Sequence, residues 1–279
     1  MIPVRSFIIT ACICIFISCN SSDTKSTTDT KMETSKTPVI QEENITYTTD
    51  TVTMKGLVAW DSTRSDKRPA VLVVHEWWGL NDYSKGRAKQ LAELGYVAMA
   101  IDMFGNGQTA DNPDLAGKLA MPFYKDPAMA KKRFDAALAK LKTYPQVDTS
   151  KIAAIGYCFG GSIVLNAAKL GDNLNGVVSF HGGLAGVPAD KNLLKSKILV
   201  CHGADDQFVK ADEVATFRKQ MDSIGADYTF KVYPGATHAF SNPNATALGE
   251  KFKLPIAYNA AADTASWNEM KNFFGRIFK

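Results

Sequence analysis

Gly156-Tyr157-Cys158-Phe159-Gly160 sets a thiol between two glycines, at the point where a buried apolar run gives way to a helical one. This small–x–nucleophile–x–small spacing is that of a strand-to-helix elbow. The nucleophile of an elbow holds a strained backbone, and side chains two residues to either side would collide with neighbouring elements. Glycine removes both collisions. The turn aims the sulfur at open space and offers the backbone N–H of Phe159 to a developing oxyanion. A glycine turn ahead of a helix can also be a plain tight connection, so the spacing alone leaves both readings open. Chain order favours the first. The elbow fold uses the order nucleophile, acid, histidine. "HGADDQFV" supplies Asp205 and Asp206 after one strand, and "YPGATHAF" supplies His238 after the next. The H-G-x-x-D-x-x-V spacing fits His202, Gly203, Asp206 and Val209, which favours Asp206 as the acid. His238 then exchanges a proton with Cys158 while Asp206 fixes its tautomer.

These groups need strand ends to hold them, and the pattern from Ile45 onward supplies them. "ITYTTDTVTMKGLVAW" alternates with period two, as an opening antiparallel pair does. "RPAVLVVHEWWG", "YVAMAIDMFG", "KIAAIGYC", "LNGVVSFHGG", "KSKILVCHGADD" and "DYTFKVYPG" read as strands. Several are continuous apolar runs, as in a sheet covered on both faces. Helices lie between them: "NDYSKGRAKQLAELGY", capped by Asn81 or Asp82 and stopped at Gly95, "PAMAKKRFDAALAKLKTYP", Gly161 to about Leu170, "ADEVATFRKQMDSIG", and a closing "AADTASWNEMKNFFGRIF". Asp111 to Asp126 carries two prolines and reads as loop. Strands alternating with helices predict an α/β fold, a mostly parallel central sheet with helices on both faces. Ligands in such sheets bind beyond the carboxyl ends of the strands. His75–Glu76, Cys158, Asp205–Asp206 and His238 all fall there.

"VVHEWWG", "GYCFGG", "HGADDQFV" and "GATHAF" together resemble the dienelactone hydrolase family, in register over residues 45–279. The resemblance implies an α/β-hydrolase fold and a Cys–His–Asp triad of Cys158, His238 and Asp206. It also implies a glutamate near the thiol, Glu76, and a second oxyanion N–H from Trp77 beside that of Phe159. The implied activity is hydrolysis of a carboxylic ester, lactone or thioester through an acyl-thioester, with no cofactor. A carboxylate beside a thiol disfavours the thiolate. The resting thiol is therefore expected neutral, with Glu76 and His238 as competing proton partners. One position departs from the family. Its classical members bind the substrate carboxylate with arginines, one a few residues after the histidine, where Asn242 stands here. Residues 111–127 contain no arginine either, and Lys118 is the nearest cation. A neutral substrate fits as well as an anionic one.

Other candidates have plainer readings. His75, His181 and His202 stand at strand ends as hydrogen-bonded structural groups, and "HEWWG" lacks the second histidine of a zinc helix. Cys201 sits in an apolar strand and reads as core packing. Trp77, Trp78, Phe104, Met121, Phe123, Tyr124 and Phe159 divide between pocket wall and core with nothing in the sequence to separate them.

The 279 residues suit one α/β domain, and 32 basic against 28 acidic residues, mixed throughout, give no block that would hold nucleic acid. Residues 1–18 carry one early cation, Arg5, and a short apolar run, the pattern of a signal peptide. "FISC" resembles a bacterial lipobox and implies cleavage before Cys19 and lipidation of its thiol. Residues 19–44, rich in Ser, Thr and Lys, read as a flexible spacer ahead of a catalytic domain at 45–279. The expectation is a monomeric lipoprotein tethered to a membrane outside the cytoplasm. Of five cysteines, only Cys158 and Cys201 belong to the domain, and nothing fixes whether they pair. A non-catalytic surface lipoprotein on the same scaffold is the competing reading. A thiol-redox protein is disfavoured, because no C-x-x-C pair lies in the domain.

Overall fold

The computed structural model describes residues 37–49 and 52–279, together with Met1 and Pro3. The remainder of the signal peptide, Cys19 and the spacer up to residue 36 lie outside the described residues. Among those described, no helix is long and apolar enough to cross a membrane.

An eight-stranded sheet forms the centre, in the order β1-β2-β4-β3-β5-β6-β7-β8. β1 (Ile40–Thr49) and β2 (Val52–Asp61) pair antiparallel, as the period-two alternation predicts, and β2 pairs antiparallel with β4 (Val97–Ile101). Every later pairing is parallel, through β3 (Arg68–Val74), β5 (Val147–Tyr157), β6 (Gly176–Phe180), β7 (Lys197–Gly203) and β8 (Tyr228–Tyr233). β1 starts five residues ahead of Ile45, so residues 40–44 belong to the sheet and not to the spacer. Residues 41–44 are exposed, which is why their composition reads as linker, while their backbone pairs along β2 from Gln41↔Trp60 to Asn44↔Leu57.

β4 and β6 are buried at every residue, because helices cover both faces. Alternation along β3 sorts the core. Ala70, Leu72 and Val74 point to the face held by α3 (Pro127–Leu141), α4 (Phe159–Lys169) and α5 (Ala211–Ser223), with Phe134, Ile163 and Phe217 packed there. Val71 and Val73 point to the other, held by α1 (Asp82–Glu93) and α7 (Ala260–Ile277), with Leu91, Met270 and Phe274.

Two segments depart from the sequence expectation. Residues 113–125 form a helix, α2 (Pro113–Lys125), and not a loop. Asn112 caps it by accepting from the Leu115 N–H at 2.9 Å. Pro113 costs nothing at the first helical position, where its missing N–H would be unpaired anyway. Pro122 lies inside the last turn, and Ala116, Ala120 and Phe123 at helical spacing turn inward. A short helix, α6 (Ala245–Phe252), also fills the stretch after His238, where the sequence shows no apolar period.

Candidate active site

Cys158 follows the last residue of β5 and directly precedes α4, at φ 51° and ψ −114°. A non-glycine residue pays strain in this region, and such strain gathers at functional sites. His181 (φ 41°) and Ala239 (φ 60°) also have positive φ, one after β6 and one next to His238. The flanking glycines are sterically obligatory. A Cβ on Gly156 would stand 2.0 Å from the Gly160 carbonyl oxygen, and one on Gly160 would stand 2.3 Å from that of Val74. Both the sulfur's position and the helix start therefore follow from local packing. α4 itself is buried at all eleven residues, enclosed between the sheet and its neighbouring helices.

The loops after β7 and β8 bring the other two groups to the sulfur. His238 Nε2 lies 3.0 Å from Cys158 Sγ, and His238 Nδ1 lies 2.8 Å from Asp206 Oδ2. The other carboxylate oxygen, Oδ1, accepts the Phe208 and Val209 N–H groups at 2.8 and 3.1 Å, so the acid is fixed before it meets the histidine. Asp205 takes no part in this chain. Burial works to raise Asp206, but the hydrogen bond and charge of His238 outweigh it and hold the carboxyl below its ordinary range. Burial likewise opposes charge on His238; the negative charge of an ionised Cys158 and the Asp206 hydrogen bond push it up to about 10. The histidine is thereby primed to hold a proton next to sulfur.

Glu76 is placed differently from the expectation of a competing proton partner. Its Oε2 accepts a hydrogen bond from Asn242 Nδ2 at 2.6 Å, and no hydrogen bond joins it to Cys158. Asn242, where the resemblance leads one to look for an arginine, thus holds the glutamate without neutralising it. Burial pushes Glu76 up to about 7; the Asn242 hydrogen bond and the His238 and Arg87 charges only moderate this. A carboxyl raised from an unfolded value of 4.5 contributes stability that is complete below that pH and is lost as pH rises through about 7. Glu76→Gln should therefore gain stability relative to the wild type between pH 5 and pH 8, on the order of 3 kcal/mol. Thermal unfolding of both proteins at the two pH values measures it, and equal differences at both would contradict the assignment.

His181, a structural group by sequence, supports the backbone of Cys158. Its Nδ1 accepts the Cys158 N–H at 3.1 Å, a bond that N–H shares with the Phe180 carbonyl at 3.0 Å. Nε2 bonds Ser241 Oγ at 2.7 Å, which in turn bonds Tyr83 Oη at 2.7 Å. Burial holds the His181 ring well below its ordinary value, so it stays neutral and able to accept. His75 is structural in the plain sense. Nδ1 donates to the Glu76 carbonyl at 2.5 Å and Nε2 accepts the Met103 N–H at 3.2 Å. Cys158 and Cys201 are both free thiols, and Cys201 is buried in β7, where desolvation pushes it up to about 12.

The groups open into a cavity of about 460 Å³. Trp77, Trp78, Met121 and Tyr124 line it, whereas Phe104, Phe123 and Phe159 are core, less than 6% exposed. Phe208, Leu254 and Ile256 complete the apolar wall, and sequence reasoning missed them. Leu254 and Ile256 reach it because α6 returns the chain to a bridge between Ile256 and His238. Among the described residues no lysine or arginine lines the cavity, and Lys118 is exposed on α2. The Phe159 and Trp77 N–H groups have no backbone acceptor among the described residues.

Known proteins share this arrangement of chain. The profile of the Dienelactone hydrolase family matches residues 54–278. A carboxymethylenebutenolidase homologue of Aquifex aeolicus is 34% identical over 220 residues, 76% of this chain and 89% of its own. The crystal structure of a dienelactone hydrolase-like promiscuous phosphotriesterase from metagenomic libraries superposes with a TM-score of 0.81 at 35% identity, covering 86% of this chain and 99% of that one. A structure named m3DLH gives 0.82 at 34%, with the same coverage. The fold is that of the α/β hydrolases, and the chain belongs to the dienelactone hydrolase family and is a hydrolase of that family.

Proposed function

We propose that the protein hydrolyses an uncharged carboxylic ester, lactone or thioester by covalent catalysis at Cys158. The observation that carries this reading is the unbroken relay from Cys158 Sγ through His238 to Asp206, opening into an apolar cavity. Sulfur attacks the carbonyl carbon while the thiol proton passes to His238 Nε2. The N–H groups of Phe159 and Trp77 receive the oxyanion, which collapses as the C–O or C–S bond of the leaving group breaks. His238 returns the proton to that leaving atom. Water, deprotonated by the same nitrogen, then attacks the thioester, the C–S bond to Cys158 breaks, and sulfur regains its proton. Asp206 keeps Nδ1 protonated, so Nε2 faces sulfur throughout.

The choice of an uncharged substrate rests on the cavity. A carboxylate would be taken from water into a site that offers Glu76 and Glu213 and, among the described residues, no lysine or arginine, with the only cationic group, His238, already committed to Asp206. Paired 4-nitrophenyl esters of butyric acid and of succinic acid test it. The neutral ester is expected to show the higher kcat/KM by roughly tenfold or more. Preference for the succinate ester would reverse the assignment, and a mass adduct on Cys158 after acid quenching would identify the acyl-thioester. The tether belongs to the same reading: cleavage before Cys19 and lipidation of its thiol would hold the enzyme at a membrane outside the cytoplasm. Metabolic labelling with a palmitate analogue, lost in Cys19→Ala, tests that part.

A further inference from the structure

α4 is an apolar helix with polar residues at Ser162, Asn166 and Lys169, a four-and-three spacing that places them on one side. That side bears on the loop of residues 183–187 and on α5 beyond it. Ser162 Oγ donates to the Gly183 carbonyl at 3.0 Å, and its oxygen can also accept from Tyr124. Asn166 is half used. Its Oδ1 accepts the Val187 N–H at 3.2 Å, whereas Nδ2 has no acceptor among the described residues, although the side chain lines the cavity and the residue is only 5% exposed. A donor on a cavity wall with no partner in the protein is met only by water or by a ligand, so such a group can serve as a contact for one.

Glu213 of α5 is half used in the same way. Oε1 accepts the Leu184 and Ala185 N–H groups at 2.5 and 2.9 Å, and Oε2 has no donor among the described residues. Asn166 and Glu213 thus both hold the loop of residues 183–187, both line the cavity, and each keeps one polar atom without a partner among the described residues. Glycines keep the approach clear. A Cβ on Gly186 would lie 2.8 Å from Asn166 Nδ2, and one on Gly183 would lie 3.1 Å from Ser162 Oγ. Lys169 does not line the cavity; its Nζ is buried over the Phe217 ring, 5.3 Å from the centroid.

We propose that this end of the cavity is a subsite for an uncharged hydroxylated chain of the substrate, its hydroxyl hydrogen donated to Glu213 Oε2 and its hydroxyl oxygen accepting from Asn166 Nδ2. The proposal rests on the reading of Cys158 as nucleophile, because it makes the same cavity the substrate site. A plain alkyl chain leaves both atoms unmet, a carboxylate meets Glu213 with no cation, and an ammonium leaves Asn166 unmet. A hydroxyl, alone or as a vicinal pair, satisfies both.

The hydroxyl can sit on the acyl or on the alcohol side of the bond. One arm of the test compares 4-nitrophenyl esters of straight-chain acids of four, six and eight carbons with their terminally hydroxylated counterparts. The other compares acetates of the plain alcohols with those of the matching diols. In the wild type, hydroxylation is expected to raise kcat/KM about tenfold in one arm, the value of one such hydrogen bond. Asn166→Asp and Glu213→Gln keep the atoms that hold the loop; the first replaces the spare donor by an acceptor that a hydroxyl donating to Glu213 cannot also meet, so the ratio should fall to about one or below, and the second leaves the hydroxyl hydrogen without its acceptor, so the ratio should fall there too. A ratio near one at every length in both arms overturns the subsite, as does a raised ratio that both variants leave intact. Turnover that survives Cys158→Ala would instead fault the nucleophile assignment. The subsite is then read by calorimetry on that variant, with 1,6-hexanediol against 1-hexanol as probes. Tighter binding of the diol by about tenfold, lost in both substitutions, supports it, and equal affinity refutes it.

Discussion

Cys158→Ala is expected to lower kcat on a neutral aryl ester by about 10⁴-fold, and His238→Ala by a comparable factor. The two losses should not multiply in the double variant. On the proposed mechanism, sulfur and imidazole, 3.0 Å apart, act as one unit, so removing either would leave only the proposed oxyanion donors and the cavity. Cys158→Ser should retain a small measurable fraction, since the hydroxyl occupies the same elbow and faces the same nitrogen but parts with its proton far less readily. Asp206→Asn should also slow alkylation of Cys158 by iodoacetamide at pH 7, because His238 loses the hydrogen bond and charge that help raise it to about 10. Steady-state kinetics on purified, folded variants decide the matter. Turnover in Cys158→Ala within tenfold of the wild type would remove the sulfur from the chemistry.

The largest effect on folding is expected from Gly156→Ala. A methyl group there would lie 2.0 Å from the Gly160 oxygen and 2.2 Å from its carbonyl carbon, both backbone atoms of the turn that sets Cys158. No flexible side chain can yield, so β5 and α4 must separate. A cost of about 3 kcal/mol or more follows, enough to lower the thermal midpoint by roughly 6–12 °C in a domain of this size. Gly275→Ala provides the contrast. It lies on the exposed face of α7, its Cβ would meet nothing within 4 Å, and alanine is the better helix former by about 1 kcal/mol. One substitution should thus lower the midpoint and the other raise it. An unaltered midpoint in Gly156→Ala would mean that the elbow has room the structure does not show.

Much of this arrangement is legible from local pattern. Apolar runs ending in polar residues locate the strand termini, and Cys158, Asp206 and His238 meet because β5, β7 and β8 run parallel and end on the same edge of the sheet. Pairing across long stretches of chain is not legible. Asn242 and Glu76 are 166 positions apart, and no spacing signals that one holds the other. Prolines concealed α2, since Pro113 reads as a breaker unless the Asn112 cap before it is recognised. α6 offers only Ala245 and Gly249 to the interior, too little periodicity to register, so Leu254 and Ile256 went unnoticed. A signal for Asn166 did exist. An asparagine within "SIVLNAAK", in a helix buried at every residue, has to face something polar or something that binds.

The burial of α4 on all sides also bears on how such an enzyme can change. A helix with one wet face can accumulate substitutions there without effect, but α4 has no wet face, and its eleven positions leave no neutral ground. Variation in substrate choice then comes most readily from lining residues outside α4, where Met121 and Tyr124 of α2 and Phe208 are each about half exposed. The molecule is divided into a wall that selection must conserve as a block and a wall that can drift one residue at a time. Directed evolution toward new esters should find most of its beneficial substitutions on the second, with Asn166 the exception on α4.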